Sequence, residues 1–293
     1  MVNLIIVDGS NYIYRAFYSH KDFKNSKGEP TGAIFGFIKS MQMITKCNTC
    51  SDIIIVFDTK GNTFRNTIDE DYKGNRAKVP EDLKIQFPII REACDACGYS
   101  HIEDTLNTQE NKYEADDIIA SLVKKNLYIY NNITIYTGDK DLYQLIGSYT
   151  DGNNKYTTVN IHDCNLKRII TQDDIYEKFG VDSNKVSEYL MLVGDSADNI
   201  SGCYGIGKVL ASSLLNTYGT INDIYKNIDK LAKPVQNKLI KAMNVLPKMH
   251  KLVSLKYDYP CTDIIQPIYN KNKYDEFCKR WELNSLLKVK CEF

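Results

Sequence analysis

LIIVD at residues 4–8, IIIVFD at 53–58 and TIYTGDKD at 134–141 share one plan: an apolar, β-branched run of strand length that stops at an aspartate. A continuous apolar run suits a strand buried on both faces, the environment found in a parallel sheet. Between and after these runs, helical periodicity fits 31–46, 82–97, 115–126 and 141–146. Strands alternating with helices predict an α/β fold with a mostly parallel central sheet flanked by helices. Such sheets bind ligands beyond the carboxyl ends of their strands, and Asp8, Asp58 and Asp139 all fall on that edge.

From about residue 171 the pattern becomes short helices, opening with Thr171 and Asp174 spaced as a helix start. The chain therefore divides into a core, 1–170, and a helical region, 171–293, with no Pro/Gly/Ser linker between them. The two are expected to pack as one body. Composition is that of an ordinary globular protein, 43% hydrophobic and 25% charged. No run approaches the roughly 18 apolar residues of a membrane span, and the N-terminus does not read as a secretory signal. Nine scattered cysteines, an odd number, suit reduced thiols inside a cell, in a bacterial cytoplasm or a DNA-containing organelle. The pairs Cys47/Cys50 and Cys94/Cys97 have zinc-ligand spacing, but they lie far apart in sequence, and chance cysteine usage is the simpler reading.

The chemistry rests on carboxylates. Asp8, Asp58, Asp139 and Asp141 lie at strand ends; Glu114, Asp116 and Asp117 open the helix of YEADDIIASLV; Asp195 and Asp198 stand three apart in GDSADN. Any one of them would pass as a surface acid or a helix cap. Together at one sheet edge they would repel each other by several kilocalories per mole without cations. Oxygen donors with little His or thiolate point to Mg²⁺ or Mn²⁺ rather than zinc. Two such ions suit hydrolysis of a phosphodiester. A nucleic-acid binder is usually basic overall, so a net charge of zero, 37 basic against 37 acidic residues, fits that role only if acids gathered at a metal site offset the bases.

VDG at 7–9, VFD at 56–58, YKGNR at 72–76, YEADD at 113–117, TGDKDLYQL at 137–145 and GDSADNISGCYGIGKVLA at 194–211 together resemble the 5′ nuclease family. That family comprises the 5′-3′ exonuclease domain of bacterial DNA polymerase I, phage 5′ nucleases and flap endonucleases. The resemblance runs nearly end to end. It implies a PIN-like core, a helical arch within about 65–100, and a helix-hairpin-helix at about 190–216. It implies that Asp8, Asp58, Glu114, Asp116 and Asp117 serve one metal group and that Asp139, Asp141, Asp195 and Asp198 complete the second. It also implies a K⁺ at the hairpin, a monomeric chain and a polymerase in cis or in trans. The implied substrates are branched, nicked or flapped duplex DNA and RNA primer–DNA hybrids, met in replication and repair. Products would carry a 5′ phosphate.

Within the arch segment, Lys73 and Arg76 are three apart, so a helix would aim both at one phosphate, and Tyr72 is expected to stack on an unpaired base. Arg15 and Lys140 are further phosphate contacts in this reading. In 200–208, Gly202, Gly205 and Gly207 would let backbone approach a phosphate beside the N-terminus of the helix that follows, with Lys208 as a further contact. The same stretch matches most of a P-loop, but Val209 lacks the hydroxyl that motif needs. Eight lysines between 226 and 256 suit non-specific duplex contacts. A junction-binding module with vestigial metal sites, an RNase and a P-loop hydrolase are the competing readings.

Overall fold

Alternate residues of each apolar run face opposite sides of the sheet, which is why no polar residue interrupts them. The computed structural model describes residues 2–48, 51–105 and 112–288. Strand β1 (Asn3–Asp8) leads to α1 (Gly9–Ser19) and α2 (Gly32–Cys47). Strand β2 (Ser51–Phe57) leads through α3 (Phe64–Ile68), α4 (Glu81–Lys84) and α5 (Gln86–Cys97) to β3 (Ser100–Glu103). Next come α6 (Ala115–Asn126), β4 (Asn132–Thr137), a 3-10 turn at Lys140–Leu145, and β5 (Gly147–Thr150), β6 (Tyr156–Asp163) and β7 (Arg168–Ile169). Beyond these the helices are α7 (Gln172–Phe179), α8 (Val186–Val193), α9 (Lys208–Tyr218), α10 (Ile221–Lys226), α11 (Lys233–Ala242), α12 (Leu246–Val253) and α13 (Lys271–Arg280).

The strand order is β3-β2-β1-β4-β6-β5, with β7 on β6. The pairs among β1, β2, β3, β4 and β6 are parallel; β5 and β7 are antiparallel additions to β6. Leu4 and Ile6 pack into one core with Ile118 and Leu122 of α6 and Leu192 of α8. Ile5 and Val7 pack into the other with Ile13 of α1, Phe37 of α2 and Ile90 of α5. The chain steps from β1 outward to β2 and β3, then returns on the other side of β1 to build β4. Between β1 and β4 lies the switch point where an open α/β sheet forms its crevice.

The helical region does not stay on one side. Tyr274, Phe277 and Cys278 of α13 belong to the core of α1, α2 and α5, and Gln42 of α2 donates to the Tyr274 hydroxyl at 2.9 Å. The segment expected as a helical arch is built of short pieces. Helix α3 ends at Ile68, residues 70–75 form turns, and α5 is packed into the core through Ile90, Ala93 and Cys94. Lys73 has φ 56°, the left-handed region that ends a helix. Its backbone N–H donates instead to the Asp198 carbonyl at 3.0 Å.

That carbonyl belongs to the loop joining α8 to α9. Asp195 and Ile200 exchange two backbone hydrogen bonds there, 2.8 and 2.7 Å. Gly194 and Gly202, both at positive φ, lie back to back beneath the pair. A Cβ on Gly202 would run into the Val193 carbonyl and the Gly194 nitrogen. Gly202→Ala should therefore cost about 2 kcal/mol or more in urea unfolding, from the left-handed backbone and the clash together. Unfolding indistinguishable from the parent would mean that the loop is not held this tightly.

Candidate metal centre

Five segments deliver acids to the sheet edge. Asp8 closes β1; its Oδ1 accepts from the Asn11 N–H at 3.0 Å and its Oδ2 from Thr137 Oγ1 at 2.7 Å. Thr137 ends β4, so the two strands flanking the switch point are tied through Asp8. Asp58 follows β2, and its Oδ1 accepts from the N–H of Ala115, the first residue of α6, at 3.0 Å. This bond docks the N-terminus of α6, with Glu114, Asp116 and Asp117, at the same edge. Asp139 stands two residues past β4 and accepts from the Asp141 N–H at 2.9 Å, opening the 3-10 turn. Asp195 and Asp198 arrive from the α8–α9 loop.

Crowding shows in their protonation. Burial, aided by the charges of Asp58 and Asp139, pushes the Asp8 carboxyl up to about 7. Burial and the charges of Asp139, Asp195 and Asp198 push Asp141 up to about 8. Asp116 is raised well above the carboxylate range by burial and then by Asp139, and Asp139 is raised by burial and Asp198. Asp198 goes the other way: against the cost of burial, Lys73 and Arg76 hold it low. Asp141 Oδ1 and Asp195 Oδ2 are buried with no hydrogen-bond partner. Glu114, Asp116, Asp141, Asp195 and Asp198 border a cavity of about 20 Å³, room for one water-sized group, together with Arg65, Tyr72 and five apolar side chains. Oxygen-only donors, raised carboxyls and two orphaned oxygens fit a hard divalent cation.

Among the described residues, no three His, Cys, Asp or Glu side chains stand arranged to hold an ion as placed. Protein cations occupy part of the wall instead. Lys73 Nζ reaches Glu114 Oε2 at 3.0 Å and Asp198 Oδ2 at 3.7 Å; Arg76 Nη2 reaches Asp198 Oδ1 at 2.6 Å; Lys140 Nζ reaches Asp195 Oδ1 at 2.8 Å. These side chains were expected to face phosphate, and the helical register proposed for Lys73 and Arg76 does not form. A turn between them nonetheless brings both to the site.

Two expectations are corrected. Asp117, expected as a metal ligand, has both oxygens taken: Arg65 binds it bidentately at 2.7 and 2.9 Å, and the N–H groups of Lys256 and Glu114 donate to it at 2.9 and 3.2 Å. Tyr72 is not free to stack on a base. Its ring is buried and its hydroxyl donates to Glu114 at 3.1 Å and Asp198 at 3.0 Å. Glu114 is similarly engaged, by Thr63, Arg65, Tyr72 and Lys73. Arg15, half-buried on α1, lies near Tyr12 and Cys164.

Gly202, Gly205 and Gly207 lie in the α8–α9 loop and Lys208 opens α9. No strand precedes them, which removes the P-loop reading. Tyr204 and Val209 are exposed beside these glycines. The lysines of 226–256 are not one free face: Lys248 pairs with Asp69 at 2.7 Å, and Lys256 sits 3.7 Å from the Phe64 ring centre. Cys94 and Cys97 are buried in α5 and form no disulfide among the described residues, and Cys50 lies outside the described residues. Sequence reasoning missed Arg65, which lies outside every acidic motif, and the role of Thr137, which opens TGDKDLYQL; both hold acids in place.

A family model described as the 5′-3′ exonuclease N-terminal resolvase-like domain matches residues 3–180, and one described as the 5′-3′ exonuclease C-terminal SAM fold matches 181–275. The chain belongs to the 5′-3′ exonuclease family. A 5′-3′ exonuclease of Aquifex aeolicus is 33% identical over 98% of this chain and 95% of its own. The thermostable DNA polymerase I of Thermus aquaticus is 33% identical over 97% of this chain, which spans 32% of that polymerase. The T5 D15 protein co-crystallised with metal ions has a TM-score of 0.67 at 26% identity, covering 96% of this chain and 98% of that one. The catalytic core of Rad2 in complex with DNA substrate shares the fold, with a TM-score of 0.62 at 15% identity over 98% of this chain and 92% of that one.

A carboxyl raised by folding contributes stability that is complete below its ordinary value and is lost as pH climbs through the folded one. Asp8 and Asp141 place that loss between about pH 4 and pH 8. In EDTA the protein should melt lower at about pH 9 than at about pH 5, and saturating divalent metal should remove most of the difference. Equal melting at both pH values in EDTA would contradict the crowding.

Proposed function

We propose that this chain is a Mg²⁺-dependent, structure-specific 5′ nuclease that hydrolyses DNA as a 5′-3′ exonuclease and flap endonuclease. The observation that carries the proposal is the carboxylate wall at the β1/β4 switch point, where Asp141 and Asp195 each bury an oxygen without a hydrogen-bond partner. Asp8, Asp58, Asp116 and Asp139 would hold one ion; Asp141 and Asp195, with Asp198, would hold a second. Bound there, such ions make an attacking water more acidic and offset charge on the phosphate and the departing oxygen.

The chain's own groups do the rest. Thr137 and Asn11 fix the Asp8 carboxylate, so its orientation does not depend on the ligand. Lys73 is half-buried against Glu114, and the more exposed Arg76 lies on Asp198. A phosphate entering the crevice would find both ready to donate, Arg76 with a planar fork that matches two phosphate oxygens. Lys208 and the backbone of Gly205 and Gly207 would grip the duplex at the hairpin, where the family resemblance also suggests a K⁺. Flapped, nicked and primer-bearing duplexes are the proposed substrates, in replication and repair, with a polymerase in cis or in trans. The described cysteines form no disulfide with one another, which suits an intracellular setting.

A 5′-labelled flap duplex tests this at single-nucleotide resolution. Cutting near the junction is expected with Mg²⁺ and not with EDTA. Asp139→Asn and Asp116→Asn should abolish cutting while binding DNA as well as the parent or better, since each removes a charge that repels phosphate. Lys73→Ala should slow single-turnover cleavage about 100-fold or more with little loss of affinity. Binding without cutting by the parent protein would overturn the enzyme reading.

A further inference from the structure

Arg65 is a buried arginine in α3, 2% exposed, with every donor in use. A guanidinium has five N–H groups. Nε donates to the Leu252 carbonyl at 2.9 Å; Nη1 to Asp117 Oδ2 at 2.7 Å and Glu114 Oε2 at 3.2 Å; Nη2 to Asp117 Oδ1 at 2.9 Å and the Ser254 carbonyl at 3.1 Å. None remains for DNA, and solvent hardly reaches the group. Its partners belong to two distant pieces of chain, the first turn of α6 and the C-terminal end of α12.

Three acids crowd the start of α6. Two of them, Glu114 and Asp117, turn to Arg65, and Glu114 also takes Tyr72 and Lys73 on the same oxygen, Oε2. The third, Asp116, lies instead within the field of Asp139, Asp8 and Asp58. Resting on the metal-dependent reading above, we infer that Arg65 is a positioning residue of the metal centre. By claiming Glu114 and Asp117 it leaves Asp116 as the carboxylate of α6 that faces the metal wall, and it locks the C-terminal helices to that arrangement through Leu252 and Ser254. A lysine would keep the charge but offers three donors from one nitrogen, too few for five acceptors around a plane.

The test is Mn²⁺ affinity of the DNA-free protein, read by electron paramagnetic resonance, together with thermal melting. Arg65→Lys preserves net charge, so a change in affinity reports geometry rather than electrostatics. A weakening of about tenfold or more is expected, as for lost partners of metal ligands, with flap-DNA affinity in Ca²⁺ within about twofold. In Arg65→Ala, added guanidinium should restore Mn²⁺ binding where equal NaCl does not. Parental Mn²⁺ affinity in Arg65→Lys, with or without a lower melting temperature, would overturn the inference and leave Arg65 a structural residue. Loss of the fold in both variants without guanidinium rescue would overturn it equally. If the parent protein itself binds no Mn²⁺, the metal-dependent reading fails first.

Discussion

Carboxylates that are buried together must be neutralised, and this constraint governs the edge of the sheet. Asp8, Asp116, Asp139 and Asp141 all resist ionisation in the fold, each chiefly because of burial and then because of neighbouring carboxylates, Asp58 and Asp198 among them. A site whose acids destabilise the protein makes physical sense when cations that bind it repay the cost. The protein supplies some of that charge itself. Lys73, Arg76 and Lys140 each lie on an acid of the wall, and Arg65 neutralises the inner pair.

The topology places this edge. Returning the chain from β3 across β1 to β4 opens the crevice at the carboxyl end of β1, and Asp8 is tied to Thr137 across it. Two further segments close on it from the side. The α8–α9 loop brings Asp195 and Asp198, and the turn at 69–76 is stitched to that loop by Lys73 N–H to the Asp198 carbonyl, Asn75 to the Ser196 carbonyl and Asn199 to the Asp71 carbonyl. Cations and acids thus come from segments that are hydrogen-bonded to each other. A shift of the hairpin on DNA would be felt at Asp195 and Asp198.

Strand runs such as LIIVD were legible because burial on both faces leaves no polar residue, and the acids were legible because most end a strand or start a helix, while Asp195 and Asp198 stand three apart in one loop. What could not be read was the division of labour within an acidic cluster. Glu114, Asp116 and Asp117 look alike in sequence, and only Arg65, some fifty positions away, separates them. Tyr72 and Lys73 show the same limit. Their neighbours suggest an exposed basic helix, whereas contacts with Glu114 and Asp198 fold them into a turn with the ring buried. The return of α13 onto α5 was also hidden, since its apolar residues mark a buried face without saying which layer covers it.

Anomalous diffraction from crystals soaked in Mn²⁺ tests the central claim most directly, because it locates cations without relying on activity. The account predicts two peaks at the β1/β4 edge, one among Asp8, Asp58, Asp116 and Asp139 and one against Asp141 and Asp195, with Asp117 still on Arg65. Peaks elsewhere, or none at that edge at saturating metal, would contradict it.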